Sequence, residues 1–514
     1  MAADTLTSAS NGASKAYPEA WTKISQYLPP RNPQYDFWWQ LTGRHLAVML
    51  DAAGYPIERQ YEALMFHYNW ACNNTDPLHG PRPRPQRRDP RQMEVPAPSR
   101  RHPLEYSWKW PSSRAGDRPE IRYAMEPVGA HAGTGLDPLN QVATRELLHR
   151  LDQAIPAVNL QWSNHFFAAL FDHDVAKLAA EGAAGADLST STGFGVDFGA
   201  AGPGIKTYFQ GRKLGQTGFM PLAEWVSAIK PLLSQDVSVA GGNDGGNGGH
   251  GDGSLGALLH FIDSHPEGAP LNPFSLAVDC VQPEKSRMKL YMNTPHTSFA
   301  SVRDIMTLGG RITGDVVESQ LRDLCELIRA VLSLPDNFPD DAETEQTYFK
   351  ESLSAATASA PVVSNGHTST TTTTNGKKED SPPTPPPHNP GFVYFFDVSD
   401  GRPLPEIKLN IPLRSYGHND LHSAQGLVDW MRARGRGAFG ERYLETLEKL
   451  APGGSKLEQT RGLQSFISIV FSRSGELGIN SYLAVRGSDV FEKVPVVDGV
   501  RSKVGRRGTL RRDE

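Results

Sequence analysis

Cysteine is scarce in this chain of 514 residues. The three present, Cys72, Cys280 and Cys325, are odd in number and show no CxxC spacing, which argues against a disulfide framework and fits a reducing compartment. Long apolar runs are missing as well. No stretch approaches the ~18 apolar residues of a spanning helix, and the opening MAADTLTSASNGASKAYPE holds no apolar segment of the kind that directs secretion. Nor is there an excess of basic charge: a net charge of −5 gives no overall attraction to nucleic acid or to an anionic membrane. These absences leave a soluble cytoplasmic protein, with neither nucleic acid nor membrane expected as a partner. Hydrophobic residues, at 38%, suffice for at least one large core.

What is present is most telling at Arg287-Met288-Lys289-Leu290-Tyr291. Alternation at a period of two puts a guanidinium, an ammonium and a phenol on one face of a strand, with Met288 and Leu290 on the other. The Met288 and Leu290 face belongs in an apolar layer, so the cationic face is expected to line an interior. Lys206-Thr207-Tyr208 repeats the device, with Lys206 and Tyr208 sharing a face. Such walls suit a multiply charged anion lying beside something a phenol ring attracts.

An internal rhythm sets the domain count. Helical spacing over 37–53 and 57–72 precedes strand-like runs at 103–110 and 120–126. Helices at 141–155 and 161–180 precede strands near 192–199 and 204–209, and helices at 219–233 and 255–263 precede 274–281 and 286–293. Helices near 300–308 and 316–333 precede 392–398 and 406–412, and helices at 420–433 and 440–450 precede 465–473 and 479–486. Each of these five ααββ units can bury its apolar face only against its neighbours. Ten hairpin-connected strands with polar residues inward and helices outward close most naturally into one antiparallel barrel, which removes exposed edges. Length alone would allow about three domains; the repeat favours one, over 17–490. The expected fold class is α/β of the α+β kind.

Two insertions interrupt it, a Gly-rich one at 240–254 and a Ser/Thr/Pro-rich one at 354–390, both too poor in apolar residues to order themselves. Residues 82–101, with seven arginines among prolines, and the basic tail 491–514 read as solvated segments, since neither interleaves aromatics on a nucleic-acid-binding module. Gly435, Gly437 and Gly440 spell GxGxxG, yet after a helix rather than a strand, so a loop is expected there. His418 and His422 have helical ligand spacing but no acidic partner between them, which favours turn and capping roles. Asp340-Asp341-Ala342-Glu343 reads as a flexible acidic loop rather than a magnesium clamp.

The segments WWQLTGRHLAVMLDAAGY (38–55), Gln60 with FHY (66–68), PLEYSWKW (103–110), KTYF (206–209), RMKLYM (287–292) and IPLRSYGHND (411–420) resemble the fungal aromatic prenyltransferases of the dimethylallyltryptophan synthase type. The likeness spans nearly the whole chain outside the insertions. It implies the family's ABBA barrel, ten antiparallel strands ringed by helices in five ααββ repeats, and transfer of a dimethylallyl group from dimethylallyl diphosphate to a ring carbon. It also implies no cofactor and no metal, and a monomer or homodimer.

Residue by residue, the resemblance matches Arg122, Lys206, Arg287 and Lys289 to the family's diphosphate-binding cations, placed where negative charge develops as pyrophosphate leaves. Lys408 is a further candidate cation. Tyr208, Tyr291 and Tyr482 match positions that shield the allyl cation with ring faces. Glu105 matches the glutamate that accepts from an acceptor's N–H or O–H and orients its ring. Lys109 shares the Glu105 face without an assigned role.

Departures from the pattern bear on the acceptor. Gly193, just before FGVDF (194–198), stands where members acting on free tryptophan at C4 carry a lysine base. Lys408-Leu409-Asn410 replaces a Gln-x-Tyr, and Phe466 replaces a shielding tyrosine. A less crowded chamber would suit an acceptor larger than tryptophan, such as an indole alkaloid, a cyclic dipeptide or a fused-ring phenol. The competing reading is a non-catalytic protein that binds an isoprenoid diphosphate without turnover, and Glu105 beside the cations favours chemistry.

Overall fold

The computed structural model describes residues 17–72, 104–185, 188, 191–233, 253–346 and 391–484. Ten strands follow the expected rhythm: β1 (Leu104–Lys109), β2 (Glu120–Met125), β3 (Thr192–Gly199), β4 (Gly202–Phe209), β5 (Asn272–Asp279), β6 (Met288–Thr294), β7 (Phe392–Asp397), β8 (Glu406–Ile411), β9 (Gln464–Phe471) and β10 (Leu477–Leu483). Each pairs antiparallel with its neighbours in sequence, and β1 pairs with β10, so the sheet closes into a barrel. Closure leaves no unpaired edge.

Helices precede each hairpin. They are α1 (Glu19–Tyr27), α2 (Pro33–Trp38), α3 (Arg44–Ala52) and α4 (Ile57–Phe66); α5 (Val142–Ala154), α6 (Gln161–Ala169) and α7 (Val175–Ala183); α8 (Leu222–Ile229) and α9 (Ser254–Ser264); α10 (Phe299–Met306) and α11 (Asp315–Leu332); and α12 (Leu413–Tyr416), α13 (Asp420–Ala433) and α14 (Gly440–Leu450). Strand alternation sends Trp108, Ile121, Phe194, Leu276, Met288 and Leu290 outward against this shell, where none has accessible surface. Burying each such side chain is worth ~1.5–3 kcal/mol, so the apolar core is the layer between barrel and helices. The inner face thereby holds the charged and polar residues, with rings such as Phe395 and Phe466 among them.

Two side chains mend the barrel's ends. The Tyr55 hydroxyl accepts from Ile121 N at 3.0 Å and donates to Phe198 O at 2.9 Å, bridging β2 and β3 beyond their last paired residues. Buried Arg436 donates to Pro111 O at 2.9 Å and Leu477 O at 2.8 Å, tying the exit of β1 to the start of β10.

Several local expectations change. The helix expected over 161–180 is two, because Phe171 makes a strand-like bridge to Arg212 and Asp174 caps a new start by accepting from Lys177 N at 3.0 Å. Those over 37–53 and 57–72 each contain a π-helical turn, Trp39–Gly43 and His67–Ala71. The two turns face each other: Thr42 Oγ1 lies 2.7 Å from His67 Nε2, and the Tyr106 hydroxyl, reaching out from β1, donates to Thr42 O at 2.8 Å. A ring on residue 39 occupies the space a side chain on Gly43 would need, its Cε3 being 2.6 Å from a β-carbon there.

Ser254, assigned to the Gly-rich insertion, instead opens α9, donating from its backbone to Arg402 O at 2.9 Å and from its hydroxyl to Ser399 O at 3.0 Å. The rest of that insertion up to residue 252, the 354–390 insertion, 82–101 and the 491–514 tail lie outside the described residues. The acidic segment at 340–343 packs on the start of α10: Asp340 pairs with Arg303 at 3.2 Å, and Glu343 accepts from the Thr297 hydroxyl at 2.6 Å. Asn419 caps α13, accepting from His422 N at 2.9 Å and lying 2.8 Å from His422 Nδ1. Gly435 ends that helix with φ +69°, and Gly440 begins α14.

Candidate active site

Strand register gathers inside the barrel four of the cations singled out in the sequence, Arg122, Lys206, Lys289 and Lys408. Arg122 on β2 stands opposite Ser107 and Asp197; Lys206 on β4 stands opposite Gly195 and Asp279; Lys289 on β6 stands opposite Ala277 and Asp397. Lys408 on β8 stands opposite Phe395. Arg287, immediately before β6, joins them through Asp279, which accepts from Arg287 Nε and from Lys289 Nζ at 2.8 Å each.

The charges do not cancel locally. Burial alone would raise the Asp279 carboxyl, but Lys289, Arg287 and Lys206 outweigh it and hold the carboxyl at about 2. Lys289 has the opposite balance. Burial brings its ammonium down to about 8, because Asp279 is shared with Arg287 and Lys206, which repel it. Asp197 pairs directly with Lys206 and lies 3.6 Å from Arg122, and these two overcome its burial and keep its carboxyl below the usual range. Arg122 is also held by Glu120 at 2.6 Å, and Lys109 reaches the same Glu120 at 3.3 Å.

Lys408 is the exception: no ion pair forms at its ammonium among the described residues. With the Asn480 amide turned so that its oxygen faces the ammonium, Lys408 Nζ donates to it at 2.9 Å. Burial, reinforced by Arg122, brings the ammonium down to about 7. It lies 5.7 Å from the Phe395 ring centroid and 6.0 Å from that of Tyr482.

The three tyrosines share this lumen. Tyr208 neighbours Gly193 across β3, Tyr482 stands opposite Ser107 on β1, and Tyr291 packs on Phe395 with centroids 5.4 Å apart. Burial raises the Tyr208 and Tyr291 phenols well above their ordinary range, so both present neutral rings. Phe274 lies 6.3 Å from Tyr291 and equally far from Phe219, whose ring is 57% exposed. Phe219, Phe274, Tyr291 and Phe395 thus form a line of rings from the surface to the cations.

Glu105 enters the lumen from β1, opposite Ala124. The Ser465 hydroxyl donates to its Oε1 at 2.5 Å, and no arginine pairs with it among the described residues. Burial pushes the carboxyl up to about 7, against the pull of that hydrogen bond. Three more polar atoms are buried here without a hydrogen-bond partner: Ser107 Oγ, Ser468 Oγ and Asn293 Oδ1.

Sequence reading missed the carboxylates. Asp197 is visible in FGVDF, and Asp279 ends β5, yet only the pairing of β2 with β3 and of β4 with β5 shows that they serve the cations. Ser465 and Asn480 carried no signal of their own.

The tryptophan dimethylallyltransferase family profile matches residues 34–446. Prenyltransferase anuH of Penicillium roqueforti is 40% identical over 472 residues, covering 92% of this chain and 93% of that protein. Xanthone prenyltransferase B of Emericella nidulans is 38% identical over 465 residues, covering 90% of each. Among solved structures, AnaPT from Neosartorya fischeri superposes with a TM-score of 0.64 at 22% identity, over 91% of this chain and 98% of that one. NotF in complex with brevianamide F and DMSPP gives the same TM-score at 18% identity, over 91% of this chain and 99% of its own. A closed ten-stranded barrel with a cationic lumen, matched along nearly its whole length by these relatives, belongs to the tryptophan dimethylallyltransferase family of aromatic prenyltransferases.

Proposed function

We propose that this chain transfers a dimethylallyl group from dimethylallyl diphosphate to a carbon of a fused-ring phenol, without a metal ion. The observation that carries the reading is the clustering of Arg287, Lys289 and Lys206 around one carboxylate, Asp279. That leaves an excess of positive charge for a diphosphate, with Arg122 and Lys408 extending the cradle. As the C1–O bond breaks, its electron pair leaves with pyrophosphate, where these cations stabilise it. The allyl cation then lies among the rings of Tyr208, Tyr291 and Tyr482, each contributing ~1–2 kcal/mol when desolvated.

Glu105 accepts the acceptor's hydroxyl hydrogen. With its carboxyl near 7, it can draw that proton as the ring attacks, which raises electron density on the attacking carbon. The new C–C bond forms, the ring proton departs to water, and Glu105 returns the hydroxyl proton to the acceptor's oxygen. The fused-ring preference rests on the name of the xanthone-prenylating relative, on Gly193 and Asn410 widening the chamber, and on the hydroxyls of Ser107 and Ser468 and the amide oxygen of Asn293, which can hydrogen-bond further hydroxyl groups. A single barrel over 17–490 houses these groups.

The test is turnover of dimethylallyl diphosphate with hydroxyxanthones, other tricyclic phenols and indoles, with and without excess chelator. Pyrophosphate release with a mass-identified C-prenylated phenol, unaffected by chelator, is expected. Diphosphate binding without release would instead indicate a sequestering protein, and activity lost to chelator and restored by magnesium would overturn the metal-free cradle.

A further inference from the structure

Strand β9 carries one residue more than β10 can pair. Tyr482 stands opposite Phe466 and Leu483 opposite Gln464, so Ser465 has no partner and forms a β-bulge. In a regular strand, residues 465 and 466 would face opposite sides. The bulge turns both inward while Gln464 faces the helices, where its amide oxygen accepts from the Tyr443 hydroxyl at 3.0 Å.

The bulge is held from outside. Asp420, buried at the start of α13, accepts from Gln464 N at 2.9 Å and Leu463 N at 3.2 Å, and its own carbonyl accepts from Gln464 Nε2 at 2.6 Å. These bonds take up backbone groups that the irregular pairing leaves over. From inside, the Ser465 hydroxyl meets Glu105 Oε1 at 2.5 Å. Oε2 makes no hydrogen bond to any described residue.

We infer that Ser465, presented by this bulge, is a positioning residue that fixes Glu105 in one rotamer, with Oε1 occupied and Oε2 left for the acceptor's hydroxyl. This inference rests on the proposed role of Glu105. A hydroxyl donating to a carboxylate favours the charged form, so Ser465 also opposes the burial that raises Glu105. The charged and titratable groups on the surrounding elements are Lys109 on β1, Arg122 on β2 and Glu126 just beyond it, Tyr482 on β10, Arg414 on α12 and, across the lumen, Tyr291, whose phenol senses the Glu105 charge. None of them makes a hydrogen bond to Glu105 Oε1 among the described residues.

The experiment is the pH profile of kcat/KM for a phenolic acceptor in wild type, Ser465→Ala, Ser465→Thr and Glu105→Gln. Ser465→Ala should move the acid limb upward by roughly one pH unit and broaden the range of prenylated positions. Ser465→Thr, which keeps the hydroxyl, should restore both. Ser465→Gly, which a bulge tolerates, serves if the alanine variant fails to fold. If Glu105→Gln removes the limb while neither hydroxyl-free variant moves it, Ser465 does not position Glu105. If Glu105→Gln leaves the limb in place, the role proposed for Glu105 itself falls.

Discussion

Tyr208 rests against Gly195: a β-carbon on residue 195 would stand 3.0 Å from Cε2 of the ring and 3.4 Å from its hydroxyl. The absence of a side chain on β3 therefore sets where this phenol lies over the lumen.

Gly195→Ala should displace the ring rather than unfold the barrel, because the contact is with the far end of a side chain. Overpacking of this kind costs ~1–3 kcal/mol. The expected result is a fall of about tenfold in pyrophosphate release, equivalent to ~1.4 kcal/mol, with a small change in melting temperature. Unchanged turnover would show that the exact placement of Tyr208 does not matter.

Pyrophosphate affinity should depend on pH through two ammonium groups. Lys408, brought to about 7, and Lys289, brought to about 8, both lose charge as pH rises. Binding measured by calorimetry should be full at pH 6 and fall in two steps through these values. Lys289→Arg stays charged and should abolish the second step. Arg287→Ala and Lys289→Ala should each cost ~2–4 kcal/mol of transition-state stabilisation, equally for every acceptor. A loss confined to one acceptor would remove these residues from the diphosphate site.

Glu105 should make the fold less stable above neutrality. Its carboxyl titrates near 7 in the folded chain, above the ordinary 4.5. Between those values the folded state holds more protons than the unfolded state, so stability falls as pH rises through that window. Glu105→Gln should leave the melting temperature unchanged near pH 4.5 and stabilise the protein by roughly 1–3 kcal/mol at pH 8, while slowing prenylation of phenols. A lower melting temperature at pH 8 would contradict burial as the cause of the shift.

Period-two patterning made the lumen legible, since Arg287, Lys289 and Tyr291 must share a face and the apolar character of Met288 and Leu290 decides which face that is. The ααββ rhythm located all ten strands because each carries its own alternation. Pairing between strands is not written in either partner alone. Asp197 and Asp279 therefore gave no sign of their cations, and Ser465 none of its bulge, which exists only as a count mismatch between β9 and β10. The π-helical turns escaped for a related reason: Thr42 on His67 is a contact between two helices whose separate periodicities are ordinary.

The seam between β1 and β10 joins residues from opposite ends of the barrel sequence, and Ser465 meets Glu105 across 360 positions. On a ribosome, β1 emerges long before its partner is made. Until the last hairpin arrives, its outer edge and that of the growing sheet both stay open to wrong partners, and contacts of such long range form slowly. Assembly of the acceptor end thus waits for β9 and β10. Expression at low temperature or with chaperones acts on that interval, and a nascent chain stopped before β9 holds the cation-bearing strands β2, β4, β6 and β8 yet has nothing to seat Glu105.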